Sequence, residues 1–321
     1  MSDRATREGV RRQALFDSGA QACRRYVPDD FPKVYFCPVC ATGFDQDDFS
    51  QLTDDHVPSK RLPGKHVQVL TCKDCNSAAG SGLQKDMLVR EHEIRFWTET
   101  MTDRRRGEGT IEGLRFDIEY IRHAGGIEMY VSDTPRNRLL MPDGGEIVGN
   151  RLMSGVPITI SPREGYRVER ARIALLREAY LAAFAVFGYG YVYSEQLARV
   201  RAQLDDPEIT VIPRFLSISK KATGPERVIG IVLQPQAESG GLCVQIGRYL
   251  VLLPWLEGDV YDRIASASRT DDQETSITLR PLVDWPRRPM YLLDRGLIQG
   301  MSVSVIHDPS QVAHSPRFGA V

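Results

Sequence analysis

Charge of one sign is scarce in this chain. Forty-one Lys and Arg stand against 42 Asp and Glu, a formal net charge of −1 over 321 residues. A protein that coats long duplex nucleic acid usually carries a clear positive excess, because its affinity comes from neutralised phosphates. The cysteine-rich first third is no more basic, with 17 basic and 17 acidic side chains in residues 1–110. A local basic groove survives this argument, since placement matters more than the sum. Long apolar runs are missing as well: no stretch of about 18 or more apolar residues occurs, so neither a membrane span nor a membrane partner is expected. The opening MSDRATREGVRRQ has no apolar core. A secretory signal is therefore not expected, and a reducing cytoplasm is the expected compartment. There is no P-loop, no dinucleotide fingerprint and no internal repeat.

Cysteine, by contrast, is patterned. Of six, Cys37, Cys40, Cys72 and Cys75 form two C-x-x-C pairs separated by 31 residues. In a reducing compartment such spacing reads as a metal site rather than as disulfides. Structural zinc takes four thiolate or imidazole ligands in a tetrahedron, and two knuckles supply four sulfurs. A redox CxxC would want a thioredoxin-like βαβ setting, which is absent here. A closed four-thiolate site has no open coordination position, so this Zn²⁺ is expected to staple a segment too small to build its own core. Cys23 and Cys243 stand alone and are expected to be buried apolar thiols.

The coarse pattern predicts an α+β chain. Residues 1–34 form a helical segment, with a helix over 4–17 whose Arg4, Arg7, Arg11 and Arg12 make a solvated charged face. Residues 35–102 follow as a zinc-stapled unit in the order knuckle, strand, loop, strand, knuckle, helix. Its second strand is HVQVLTC, which alternates apolar and polar. Its helix is predicted from Asn76 to about Phe96, weakened at Gly80 and Gly82. DRRRGEG (103–109) reads as a linker. Residues 110–321 read as a larger α+β domain with a mainly antiparallel sheet. Its strands are expected at 111–121, 127–131, 156–160, 209–217, 226–234, 241–254 and 276–281, and its helices near 166–187 and 194–204. The apolar AYLAAFAVFGYGYVY (179–193) is expected to be buried core. No motif in this domain ties it to chemistry, so it is expected to position substrate or to meet a ligand or protein partner.

The chemistry concentrates in TDDHVPSK (53–60) and CKDCN (72–76). Asp55 and His56 are neighbours near a strand end, so their side chains project differently. Closing the cysteine site would draw Asn76 towards them. An Asp carboxylate and an Asn carbonyl suit Mg²⁺ or Mn²⁺, with substrate phosphate completing the shell. A neutral histidine nearby could take a proton from water, since its ordinary pKa is near working pH. Plainer readings stand beside these: His56 packs within its loop, and Asn76 caps its helix. Lys60, Arg61 and Lys65 either neutralise substrate phosphates or form a solvated loop.

Taken together, CPVC, LTDDHVPSKRLPGK and VLTCKDCNSAAGSGL resemble the HNH endonuclease family, in its branch with a four-cysteine structural zinc, over residues 35–95. The resemblance implies a ββα-metal fold and hydrolysis of nucleic-acid phosphodiester bonds, with DNA expected ahead of RNA. It implies His56 as general base, Asp55 and Asn76 as ligands of the catalytic cation, and Asp54 outside the ligand set. The family's middle Asn falls near Val67 here, which leaves His66 as the neighbouring candidate to orient His56. The alternative is a nonenzymatic zinc module that binds nucleic acid or a protein.

Overall fold

Helix α1 (Asp3–Cys23) opens the chain in a computed structural model that describes residues 3–98, 103–123, 125–132, 134–140, 154–162, 165–219, 226–234, 240–255, 260–267 and 277–292. The helix runs past residue 17, and its arginines do more than face solvent. Arg11 pairs with Asp54, while Arg12 donates to the Leu52 carbonyl and lies over the Phe49 ring. Gly19 lets α1 close on Tyr35: a Cβ there would sit 2.3 Å from the Tyr35 ring, well inside contact distance.

The chain divides into two compact units, one joining residues 1–84 with 169–321 and the other formed by 85–168. In the first, β1 (Tyr35–Phe36) and β2 (Gly43–Phe44) pair around the CPVC turn. Strands β3 (Leu52–Val57) and β4 (Val67–Cys72) then pair antiparallel from Leu52↔Cys72 to Val57↔Val67. Helix α2 (Lys73–Ala78) follows at once, its N-cap the Cys72 sulfur, which accepts from the Cys75 N–H. The single helix expected from Asn76 is thus two, α2 and α3 (Gln84–Thr98), joined by a π-helical turn at Ala79–Leu83 that contains Gly80 and Gly82.

The second unit is a four-stranded antiparallel sheet in the order β7-β6-β5-β8. Its strands are β5 (Asp103–Ile111), β6 (Leu114–His123), β7 (Gly126–Val131) and β8 (Thr159–Pro162), with helix α4 (Pro135–Leu140) between β7 and β8. Phe96, Ile111, Phe116, Ile118 and Tyr120 form its core. DRRRGEG is therefore not a linker but most of β5. Its glycines serve packing rather than flexibility: a Cβ on Gly109 would lie 2.4 Å from the Phe116 ring.

The rest of the first unit is built on helix α5 (Val168–Phe187). A helix apolar on every face must be buried, and every residue from Ile173 to Phe187 is. The short α6 (Tyr189–Val192) continues this buried segment, and α7 (Ala198–Asp205) follows. A five-stranded antiparallel sheet runs β13-β10-β11-β12-β9. Its strands are β9 (Leu216–Ile218), β10 (Arg227–Gln234), β11 (Gly241–Ile246), β12 (Tyr249–Pro254) and β13 (Thr278–Asp284), and α8 (Val260–Ala267) precedes β13. The expected strand over 241–254 is a hairpin, turned at Gly247 and Arg248. The chain thus mixes helices with antiparallel sheets, as its pattern predicts. Among the described residues no helix is long and apolar enough to cross a membrane.

Candidate metal centre and adjoining hairpin

Cys37 and Cys40 lie on the turn between β1 and β2, Cys72 ends β4, and Cys75 sits in the first turn of α2. Their four sulfurs fall within 4.8 Å of one another, with Cys40 Sγ 3.7 Å from Cys72 Sγ. The Cys72 amide donates to Cys37 Sγ and the Cys75 amide to Cys72 Sγ, each at 3.4 Å. Sulfurs this close cannot all ionise unaided. Hydrogen bonding with Cys37 pulls Cys40 and Cys72 below the ordinary thiol range, whereas burial drives Cys37 up and hydrogen bonding with Cys37 drives Cys75 up. A cation relieves this conflict, so the cluster fits a metal ion such as zinc.

Three tyrosines of the second half of the chain cover the first knuckle. Tyr189 donates to the Phe36 carbonyl at 3.0 Å, Tyr193 to Cys37 at 2.7 Å and Tyr180 to Pro38 at 2.7 Å. From the other side, Tyr35 donates to the Leu70 carbonyl of β4. These buried hydroxyls donate to backbone carbonyls of the first knuckle and of β4. The cysteine segment is thus packed against the core built on α5 and α6. Cys23 and Cys243, expected as buried thiols, are both buried.

Side chains alternate along a strand. Thr53 and Asp55 therefore share one face of the β3–β4 pair with Val69 and Thr71, while Asp54 and His56 share the other with Gln68 and Leu70. On the first face, Asn76 Nδ2 donates to Thr53 Oγ1 at 2.9 Å, and Thr71 Oγ1 donates to Asp55 Oδ2 at 3.3 Å. Among the described residues nothing hydrogen-bonds Asn76 Oδ1 or Asp55 Oδ1. Two threonines thus each hold one end of a side chain and leave an oxygen over. Asn76 lies inside α2, so the cap reading does not apply to it.

Asp55 is buried, 3% exposed, and Arg177 of α5 donates to its Oδ2 at 2.5 Å. Burial opposes the Arg177 charge, but Asp55 and then Glu178 more than offset it. The next residue, Glu178, is fully buried; Gln84 donates to its Oε1 at 3.1 Å, the Ser59 backbone amide also acts on the carboxyl, and among the described residues its Oε2 has no close hydrogen-bond partner. Burial first, and the Asp55 charge second, push the Glu178 carboxyl up to about 8. Sequence reading missed both residues. The signal was there: LLREAYLAAF sets an adjacent Arg and Glu inside a helix that is otherwise apolar all round.

On the second face, Gln68 Nε2 lies 2.6 Å from His56 Nε2, and the His66 ring centroid lies 5.3 Å from that of His56. His66 is thus a neighbour, but the direct contact behind His56 is Gln68, its cross-strand partner. Burial, then His66 and Lys60, lower the His56 pKa from its ordinary value. Lys60, Arg61 and Lys65 lie exposed on the loop between β3 and β4 and make no ion pair among the described residues. Asp54 is held by Arg11, away from Asp55 and Asn76. Comparison with protein-family models, with curated proteins and with solved structures gave no match to this chain.

Proposed function

We propose that the cysteine cluster and the β3–β4–α2 segment form an HNH-type endonuclease centre, a metal-dependent hydrolase of nucleic-acid phosphodiester bonds, with Cys37, Cys40, Cys72 and Cys75 holding a structural Zn²⁺. The observation that carries this reading is the pair of unengaged oxygens, Asp55 Oδ1 and Asn76 Oδ1, on one side of the hairpin, each steadied by a threonine. Hard divalent cations take such oxygen donors. Mg²⁺ or Mn²⁺ bound there would supply Lewis-acid stabilisation of the phosphate and the leaving 3′ oxygen. His56 is the general base. Its surroundings keep it neutral and able to accept a proton from the attacking water. Gln68 fixes the tautomer: its Nε2 donates to His56 Nε2, so the basic lone pair that it orients is the one on Nε2. Lys60, Arg61 and Lys65 neutralise the backbone of a nucleic acid, DNA ahead of RNA.

A specific pair of observations favours a second reading, a nonenzymatic zinc module that binds nucleic acid or a protein. Arg177 already neutralises Asp55, and strand alternation turns His56 to the opposite face from Asn76. One experiment separates the two. Supercoiled plasmid is incubated with the protein and Mg²⁺ or Mn²⁺, beside His56→Ala. Nicking by the native protein alone supports the nuclease. Equal nicking by both removes His56 from the mechanism. Failure to cut duplex, single strand and RNA favours the binding module.

A further inference from the structure

The loop between β3 and β4 is anchored at its centre and near its tip. Leu62 is buried, and its amide donates to the Ser59 carbonyl at 2.8 Å. Arg227 of β10 donates through Nη2 to the Pro63 carbonyl at 2.5 Å. The same guanidinium lies over the Trp285 ring, 6.0 Å from its centroid. Strand register explains the meeting: Val228 pairs with Asp284, so Arg227 at the start of β10 comes beside Trp285, just past the end of β13. One arginine thus ties the loop that carries Lys60, Arg61 and Lys65 to the end of the five-stranded sheet.

Trp285 opens a second basic stretch, WPRRPM (285–290). Its Arg287 and Arg288 are exposed and make no ion pair among the described residues. The span is held at both ends. Trp285 is buried against Arg227, and the Met290 amide donates to the Ala185 carbonyl of α5 at 2.6 Å. Pro286 and Pro289 flank the two arginines and fix the backbone φ there. A rigid display of this kind lowers the entropy cost of binding. Arg287 is two peptide units from Trp285, so their Cα atoms are at most about 7.6 Å apart. On the stretches 58–66, 226–228 and 284–291 the only carboxylates are Glu226 and Asp284, against Lys60, Arg61, Lys65, Arg227, Arg287 and Arg288. The whole chain is close to neutral, so this excess is local, and a local excess is what attracts a polyanion.

We infer that Arg287 and Arg288 are phosphate-binding residues that extend the basic surface of the β3–β4 loop, so that a nucleic-acid strand seated on the loop runs on over the end of the five-stranded sheet. The inference rests on the nucleic-acid reading of Lys60, Arg61 and Lys65, and it gives the second half of the chain a share of the substrate. Guanidinium groups meet phosphate oxygens through paired N–H donors. Such contacts hold and position the backbone without reading its sequence.

The test is fluorescence anisotropy of labelled duplex DNA, single-stranded DNA and RNA with the full-length, zinc-loaded protein. No Mg²⁺ or Mn²⁺ is added, so binding is read apart from cleavage. Four proteins are compared: native, Arg287→Gln/Arg288→Gln, the loop variant Lys60→Gln/Arg61→Gln/Lys65→Gln, and the control Arg104→Gln/Arg106→Gln on β5. Circular dichroism and zinc content check folding. Arg287→Gln/Arg288→Gln is expected to weaken binding tenfold or more. It should also reduce the slope of log affinity against log salt by about 1 to 2, the loss of one or two phosphate contacts. The control should stay within twofold of native. If Arg287→Gln/Arg288→Gln also stays within twofold with an unchanged slope, the proposal is overturned; loss of binding by the loop variant would then leave the loop reading standing alone. An equal loss in the control makes the effect one of bulk charge and overturns the proposal too. If the native protein binds none of the three nucleic acids, the nucleic-acid reading and this extension fall together.

Discussion

Arg177 on α5 donates to Asp55 on β3 across 122 residues of sequence, and both side chains are buried. Removing one partner of a buried ion pair strands the other charge, at a cost of about 3–5 kcal/mol. Arg177→Met should therefore lower unfolding free energy in urea by roughly that amount. Adding Asp55→Leu to Arg177→Met should restore much of the loss, because the stranded charge goes with it. Equal stability of native protein and Arg177→Met would show that the pair is not closed in solution.

Tyr180 tests whether the knuckle depends on the second half of the chain. Its hydroxyl is the donor to the buried Pro38 carbonyl. Tyr180→Phe should cost about 1–3 kcal/mol, the penalty for a buried acceptor left unpaired. It should also speed zinc loss to a chelator, followed with a metallochromic dye. Truncation after residue 109 should not yield a small working nuclease, since it removes Tyr180, Tyr189 and Tyr193 together and bares the CPVC turn.

The four-cysteine cluster should carry one zinc per chain by elemental analysis. Cys40→Ser should lose that ion and melt at a lower temperature, because metal binding is linked to folding. A Cys40→Ser protein with full zinc content and unchanged melting would exclude the cluster as the zinc site.

Gln68→Leu removes the group that touches His56 Nε2. Loss of a general base costs about 10²–10⁴ in rate, so Gln68→Leu should slow nicking by less than His56→Ala does. It should also shift the acid limb of the pH–rate profile, which a purely structural change would leave in place. Gln68→Glu removes the donor to Nε2 and should not recover the rate.

Stability without added Mg²⁺ or Mn²⁺ should fall as pH rises. The Glu178 carboxyl is held at about 8 in the folded chain against an ordinary 4.5. Between those values the folded state keeps a proton that the unfolded state releases. The stabilisation is complete below the unfolded value and is lost as pH climbs through the folded one. Glu178→Gln should flatten this dependence in melting curves taken from pH 5 to about 9.

The sequence made the local chemistry legible and the long-range chemistry much less so. The cysteine spacing anticipated the cluster, since four thiols in C-x-x-C pairs have few other uses. VQVLTC declared its strand by alternation, and the all-apolar 179–193 declared itself as core. DRRRGEG misled because charge and glycine mark linkers on average, whereas Gly109 is there to clear Phe116. The partner of His56 was missed for want of register. Once Val57 pairs with Val67, Gln68 must face His56, but nothing local fixes that pairing. Arg177 reaches Asp55 only through the tertiary fold, and no spacing near Asp55 announces it.

The first unit is discontinuous in sequence, and this has a temporal consequence. During synthesis the four cysteines leave the ribosome well before the tyrosines that roof them. At about 5–20 residues per second, the stretch from Cys75 to Tyr193 takes roughly 6 to 24 s. For that interval the nascent thiols stand uncovered while the 85–168 unit is still being made. Early metal capture would shield them from oxidation and hold the hairpin in register until α5 arrives. Zinc supply during translation, rather than afterwards, would then decide how much of the chain reaches its native core.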